Sequence, residues 1–142
     1  MEIRIAKNED SESISFLMRE LGYKTTANLI RAKLKKIAQS DIDQVFVAVI
    51  DNQVLGCVSC HLTQLFHQEG RTGRITSLVV LKKNRNTGIG TRLINAADYF
   101  FQSNGCARAE VTSAYHHEEA HDFYQKKGYK QNEWRFTKHY DI

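Results

Sequence analysis

The chain of 142 residues contains no proline at all, only three cysteines and only eight glycines. With no proline, no glycine- and serine-rich stretch, no low-complexity tract and no repeat, nothing marks a linker, and residues 1–142 read as a single domain. Cys57, Cys60 and Cys106 are few and odd in number, which excludes a disulfide framework and fits a reducing compartment. No apolar run approaches the roughly 20 residues of a membrane span. The start, Met1-Glu2-Ile3-Arg4-Ile5, alternates like a strand and lacks the apolar core of a signal peptide. A cytoplasmic protein without a membrane partner is expected. Charge of either sign is also modest: 20 Lys+Arg against 16 Asp+Glu give +4, and the pI is near 9.0. That balance suits anionic ligands and does not indicate nucleic acid, which would need a dense basic patch.

What is present suffices for a core. Hydrophobic residues make up 42% of the chain, and a domain of this size buries roughly 70% of its unfolded surface, so neither disulfide nor metal is needed. After a first strand at residues 2–6, Ile14, Leu17, Met18 and Leu21 recur at helical spacing, as do Ile30, Leu34, Ile37 and Ala38, with Gly22 dividing the two helices. Residues 45–50 are rich in β-branched side chains, Asp51-Asn52-Gln53 reads as a turn, and residues 54–66 continue as a long strand, an antiparallel hairpin. A turn at residues 69–73 leads to a strand at 74–81, then a helix at 88–103 and a strand at 107–112, the order of a parallel βαβ unit. Residues 117–127 predict a last helix, ended by Gly128, and the alternating residues 134–140 a last strand whose exposed edge suits a homodimer. The fold class is α/β.

The segment Leu78-Val79-Val80-Leu81-Lys82-Lys83-Asn84-Arg85-Asn86-Thr87-Gly88-Ile89-Gly90-Thr91 carries the most chemistry. An apolar strand feeds a polar, basic loop, and the loop opens a helix with Gly88 and Gly90 at its start. A helix N-terminus presents unpaired N–H groups and positive potential, and glycine lets a phosphate approach the backbone, so this is a candidate diphosphate cradle. A tight strand-to-helix turn needing glycine only for packing would look similar. The spacing is not that of a dinucleotide fold, because Leu93 stands where the third glycine belongs, and no Walker A sequence is present.

Arg85, Gly88 and Gly90 directly after the Leu78-Val79-Val80 strand resemble the acetyl-CoA motif of the GNAT N-acetyltransferase superfamily, [Arg/Gln]-x-x-Gly-x-[Gly/Ala]. Lys82 departs from the usual proline and Asn86 from the usual glycine, the latter mildly because Asn tolerates positive φ. Downstream, Ala120-His121-Asp122-Phe123-Tyr124-Gln125-Lys126-Lys127-Gly128-Tyr129 resembles the second family signature, Ala-x-x-Phe-Tyr-x-x-x-Gly-[Phe/Tyr]. The pair of ordered motifs is stronger than either alone. His121, Phe123, Tyr124, Gly128 and Tyr129, with the ending Trp134-Arg135-Phe136-Thr137-Lys138, look like the subgroup that acetylates small amines, aminoalkylphosphonates among them.

The resemblance implies a GNAT-like acyl-CoA N-acyltransferase fold, with a mixed sheet of six to seven strands flanked by about four helices. It implies transfer of acetyl from acetyl-CoA to the primary amine of a small molecule by direct attack in a ternary complex, with no cysteine nucleophile. Backbone groups of Leu78, Val79 and Val80 would accompany the cofactor arm where the sheet splays. Amides of Arg85, Asn86, Thr87, Gly88, Ile89, Gly90 and Thr91 would hold the diphosphate, and the Val80 N–H would face the thioester oxygen. Tyr124 would lie near the sulfur and protonate the leaving thiolate, although a buried aromatic role is the alternative for it and the favoured one for Phe123. His117 falls where many relatives contact the cofactor through Asn. Relatives often carry a Glu just ahead of the Leu-Val-Val strand end to orient a proton-accepting water. Here that stretch is Ile75-Thr76-Ser77, leaving Glu69, His61, His67, Glu110 or a water held by Ser77 and Thr76 as candidates. The missing Glu motivates a second reading, a non-catalytic acyl-CoA-binding or adaptor module.

Other signals compete. His117-Glu118-Glu119-Ala120-His121 satisfies H-E-x-x-H, a zinc hydrolase pattern, but no convincing third ligand follows it and the stretch lies inside the second motif, so no metal is assigned. Cys57 and Cys60, three apart on a strand, point to opposite faces and are expected to be half-buried. Arg31, Lys33, Lys35 and Lys36 form a basic helix segment that reads first as a solvated face. With Arg135 and Lys138 it would suit an anionic amine, whereas Glu69, Glu118 and Glu119 would suit a polyamine.

Overall fold

The computed structural model describes residues 1–112, 118–131 and 136–141, apart from the side chain of Glu118. Two compact units are present, Met1–Thr112 and Ser113–Ile142. In the first, β1 (Glu2–Ile5), α1 (Ser11–Glu20), α2 (Ala27–Ala38), β2 (Asp43–Ile50), β3 (Gln53–Gln64), β4 (Arg71–Val80), α3 (Ile89–Ser103) and β5 (Cys106–Val111) follow one another. The second contains α4 (Glu118–Lys126).

The five strands form one sheet in the order β1-β2-β3-β4-β5. All neighbours are antiparallel except β4 and β5, which run parallel on either side of the α3 crossover. The hairpins-then-crossover order expected from the sequence is therefore found, and Asp51 and Asn52 make the first turn with φ of 50° and 62°. The strand count is lower than expected: five among the described residues, not six to seven. Of the expected last strand at 134–140, residues 134 and 135 lie outside the described residues and residues 136–140 form no strand, so among the described residues no such edge is present.

Helices cover both faces. On one, Ile14, Leu17 and Met18 of α1 and Leu34 of α2 pack on Val45, Val47, Cys57 and Val79. On the other, α3 buries Ile89, Leu93, Ile94, Ala97 and Phe101. Its approach is close: a Cβ on Gly56 would lie 3.1 Å from Leu93, and one on Gly73 would fall 2.3 Å from the Phe101 ring. Gly73, read from the sequence as part of a turn, is thus a packing residue inside β4. Cys57 belongs to the α1–α2 face, and Cys60 is held on the α3 side near Asp98. They do face opposite ways, but both are fully buried instead of half-buried, since this central strand is covered twice.

Candidate active site

The site begins with a fault in β4. Ser59 opposes Ser77 and the next pair is Cys60 with Ile75, which leaves Thr76 as an extra residue on β4. A bulge of this kind bends a strand and reverses which face later side chains take. Gly73 accordingly lies under Phe101 of α3, while Val79, six residues on, packs among Ile14 and Leu17 on the other face. Pairing with β5 runs from Arg71–Cys106 to Ile75–Val111 and stops at the bulge. Residues 76–80 have no strand partner on that edge among the described residues. The Leu81 N–H donates to the Leu55 carbonyl at 2.8 Å on the β3 side. Strand alternation therefore turns the Val80 N–H, and that of Leu78, toward the open edge.

From Val80 the chain makes a single 3₁₀ turn, Lys82–Asn84, and enters α3. Arg85 Nε donates to the Val80 carbonyl at 3.3 Å, and Thr87 Oγ1 donates to the Asn84 carbonyl. Asn86 sits at φ 63° and Gly88 at φ 89°, so the departure from glycine at position 86 is met by an Asn in the left-handed region. Gly88 caps the helix without a side-chain acceptor, and the first i to i−4 bond is that of the Arg92 N–H to the Gly88 carbonyl, 3.1 Å. The N–H groups of Ile89, Gly90 and Thr91 are left for an outside acceptor. A Cβ at Gly88 would meet nothing within 4 Å, so the approach to these groups is open. Lys82, Lys83 and Arg85 are exposed around it. Unpaired donors, open backbone and cationic side chains fit a diphosphate.

The second motif has its own physical explanation. Tyr129 N–H donates to the Tyr124 carbonyl at 3.0 Å and Gly128 N–H to the Gln125 carbonyl at 3.1 Å, with Gly128 at φ 93°. These are the paired bonds of a Schellman cap, whose usual apolar contact is made here by the Tyr124 and Tyr129 rings, 5.9 Å apart and edge to face. The Gly-[Phe/Tyr] ending of the motif thus closes α4 and fixes the Tyr124 ring. Tyr124 is buried, whereas Phe123, expected as the core aromatic, is half-buried with Lys127 Nζ 5.7 Å from its ring centre. His117 lies outside the described residues, and with it the expected cofactor contact and the H-E-x-x-H pair with His121. Among the described residues no three ligating side chains converge on a metal position.

The proton-acceptor candidates separate clearly. His67 and Glu69 sit on the β3–β4 turn, at the end of β4 opposite to Val80 and roughly 30 Å away along the strand. The Glu69 carbonyl accepts from Arg108 at 2.6 Å, and Glu110 lies 3.8 Å from Arg74. His61 and Thr76, by contrast, meet on the α1–α2 face. His61 Nδ1 is 2.7 Å from Asp43 Oδ1, His61 Nε2 is 2.7 Å from Thr76 Oγ1, and Thr76 Oγ1 is 2.7 Å from Ser59 Oγ. Ser40 Oγ donates to Asp43 Oδ2 at 2.8 Å. Burial pushes the Asp43 carboxyl up, but the bonds from His61 and Ser40 outweigh it and hold the group below its ordinary value. Sequence reasoning missed Asp43 and Ser59. Cysteine chemistry is disfavoured, because burial pushes the thiols of Cys57 and Cys60 up to about 12. The α1–α2 junction forms a wide, open depression lined by Arg19, Tyr23 and Lys24 among others.

The profile of the acetyltransferase (GNAT) domain matches residues 41–131, well over half of the chain. The chain belongs to the GNAT family. Aminoalkylphosphonate N-acetyltransferase of Salmonella typhimurium (strain LT2) is 30% identical over 147 residues, covering 96% of this chain and 90% of that protein. Among solved structures, aminoglycoside N-acetyltransferase AAC(6')-Iy in complex with CoA superposes with a TM-score of 0.87 at 17% identity, covering 99% of this chain and 95% of that one. Glucosamine-6-phosphate N-acetyltransferase from Arabidopsis thaliana gives 0.84 at 19% identity, with 99% and 98% covered. Both share the fold. This GNAT chain is an acetyltransferase, and acetyl-CoA is the co-substrate such enzymes use.

Proposed function

We propose that this GNAT enzyme transfers the acetyl group of acetyl-CoA to the primary amine of a small molecule that also carries an anionic group. The observation that carries the reading is the open edge of β4 at residues 76–80 running directly into the uncapped start of α3. In this reading the N–H groups around Gly88 and Gly90 hold the diphosphate and the backbone of Leu78 and Val80 pairs with the cofactor arm, whereas Val79, expected beside them, turns its backbone groups to β3. The Val80 N–H donates to the thioester oxygen as charge develops there. The amine nitrogen, freed of its proton, attacks the acetyl carbon; the carbon–sulfur bond breaks, and Tyr124, in the family's tyrosine position, protonates the departing sulfur. Amine and thioester held together need no covalent enzyme intermediate.

Support for an anionic acceptor comes from Arg19 and Lys24 at the open α1–α2 depression and from the name of the relative from Salmonella typhimurium. The exposed side chains of Arg31, Lys33, Lys35 and Lys36 add positive potential along α2. Of the three carboxylates behind the polyamine alternative, Glu69, Glu118 and Glu119, Glu69 stands at the far end of β4. The three free cysteines fit a cytoplasmic setting, and no described helix is long and apolar enough to cross a membrane.

A thermal-shift titration with acetyl-CoA, followed by thiol release over a panel of aminoalkylphosphonates, amino acids and polyamines, tests the reading. At a hundred times its Kd the ligand adds about 2.7 kcal/mol of stability. Saturable stabilisation with fastest turnover on the phosphonates is expected. Polyamines as the best substrates would remove the anionic acceptor, and saturable binding without turnover on any amine would make the chain an acyl-CoA-binding module.

A further inference from the structure

The cross-strand chain Asp43–His61–Thr76–Ser59 has a direction. An ionised carboxylate only accepts, and both Asp43 oxygens are engaged, Oδ1 by His61 and Oδ2 by the Ser40 hydroxyl. The proton between Asp43 and His61 therefore belongs to Nδ1, and the ring in its uncharged form, the one able to take up a proton, presents a lone pair at Nε2. The Thr76 hydroxyl, 2.7 Å away, can only donate to that lone pair, which leaves its own oxygen to accept from Ser59. Every bond points inward, from the exposed Thr76 hydroxyl toward the Asp43 carboxylate. Thr76 is the bulged residue of β4, and it stands at the start of the edge that β5 leaves open. The one exposed hydroxyl of an inward-polarised chain thus lies on the strand segment that carries the Val80 N–H.

We propose that Thr76, His61 and Asp43, with Ser59, form the relay that takes the proton from the acceptor ammonium. The inference rests on the acetyltransferase reading above and supplies the proton acceptor that reading lacks. Thr76 and Val80 are at most roughly 13 Å apart along the strand, so ordered water joins the amine to Thr76. The proton leaves the ammonium nitrogen through that water to Thr76 Oγ1 as the Thr76 hydroxyl proton passes to His61 Nε2. The imidazolium is paired with Asp43, and the freed nitrogen lone pair forms the bond to the acetyl carbon. The charged neighbours of His61 in the sheet are Asp43 on β2 and its register partner Arg74 on β4, whose guanidinium turns to Thr112 and Glu110. Asp43 is a positioning residue, setting the ring tautomer and stabilising its cation.

The test uses the full chain as wild type, Thr76→Val, Thr76→Ser, His61→Gln and Asp43→Asn, with acetyl-CoA stabilisation confirming that each variant folds and binds. Thr76→Val and His61→Gln should lose about 100-fold in kcat, the scale of a general base, with KM for acetyl-CoA unchanged. Thr76→Ser, which keeps the hydroxyl, should retain most of the rate. Asp43→Asn should move the acidic limb of the kcat/KM profile to lower pH, because the imidazolium loses its counter-charge. Without any turnover, nitrogen NMR of the ligand-free wild type should find the His61 proton on Nδ1, and Asp43→Asn should abolish that preference. An active wild type with undiminished variants and an unmoved acidic limb would overturn the relay and leave acetyl transfer standing. A wild type that acetylates no amine would overturn both.

Discussion

Tyr124 is held by its neighbours more than by its helix. The Schellman cap at Gly128 and the edge-to-face Tyr129 ring fix the Tyr124 ring from below, so removing the hydroxyl alone leaves packing intact. Tyr124→Phe should therefore fold as the wild type and bind acetyl-CoA equally well, while kcat falls on the order of 100-fold, the scale of a general acid. Steady-state kinetics together with acetyl-CoA titration check this, and full activity would remove Tyr124 from the mechanism. Gly88 predicts differently. At φ 89° with open space around it, the position rejects a side chain through its backbone and not through a clash. Gly88→Ala should cost on the order of 1 kcal/mol of stability and weaken acetyl-CoA binding, read in the same titration.

At the scale of elements, β4 does three things along one strand: it packs α3, changes face at Thr76 and then parts from β5. The packing step is tested by Gly73→Ala. The new methyl would overlap the Phe101 ring, which belongs to a helix and cannot retreat alone, so a loss of about 1–3 kcal/mol is expected in chemical denaturation. Phe101→Leu in the same chain should recover part of it. These features also mark how far the sequence could be read. Helix periods, the Asp51-Asn52 turn and the glycine loop follow from local chemistry and were legible. Gly73 was not, because a packing glycine and a turn glycine look alike without the helix that covers one of them. The relay was hidden by register. Counting back from the Ile50–Gln53 pair sets Asp43 opposite Cys60, on the face away from His61; the irregularity between Ala48 and Val49 shifts the pairing by one and brings Asp43 to His61. A second bulge then adds Thr76 to the group. The glycine loop and the motif around Tyr124 stand out in the sequence because they are short contiguous runs, whereas a constellation built across three strands leaves no such run.

For the whole molecule, the joint between sheet edge and helical layer governs behaviour in acid. Arg4 on β1 grips Asp10, just ahead of α1, through two bonds of 2.8 and 3.0 Å, and the Lys7 N–H donates to the same carboxylate at 2.7 Å. Burial pushes the Asp10 carboxyl up, but Arg4 and the Lys7 N–H together bring it below its ordinary value. A depressed folded pKa means that the unfolded chain binds the proton first as acid is added. The stabilisation is complete above about pH 4, the unfolded value for Asp, and is lost as pH falls through the lower folded value. Asp43, also depressed, acts in the same sense. Asp98, on α3, acts oppositely: its partial burial raises its pKa, so the ionised group costs stability at neutral pH and its protonation in acid favours the folded form. Asp10→Asn should thus lower stability near neutral pH by on the order of 1–3 kcal/mol, as expected for losing charged hydrogen bonds, and flatten the decline below about pH 4. Asp98→Asn should raise stability near neutral pH, with the advantage shrinking in acid. Denaturant unfolding at a series of pH values measures both; parallel curves for Asp10→Asn and wild type down through the acid range would show that the Arg4–Asp10 joint does not set the acid limit of the fold.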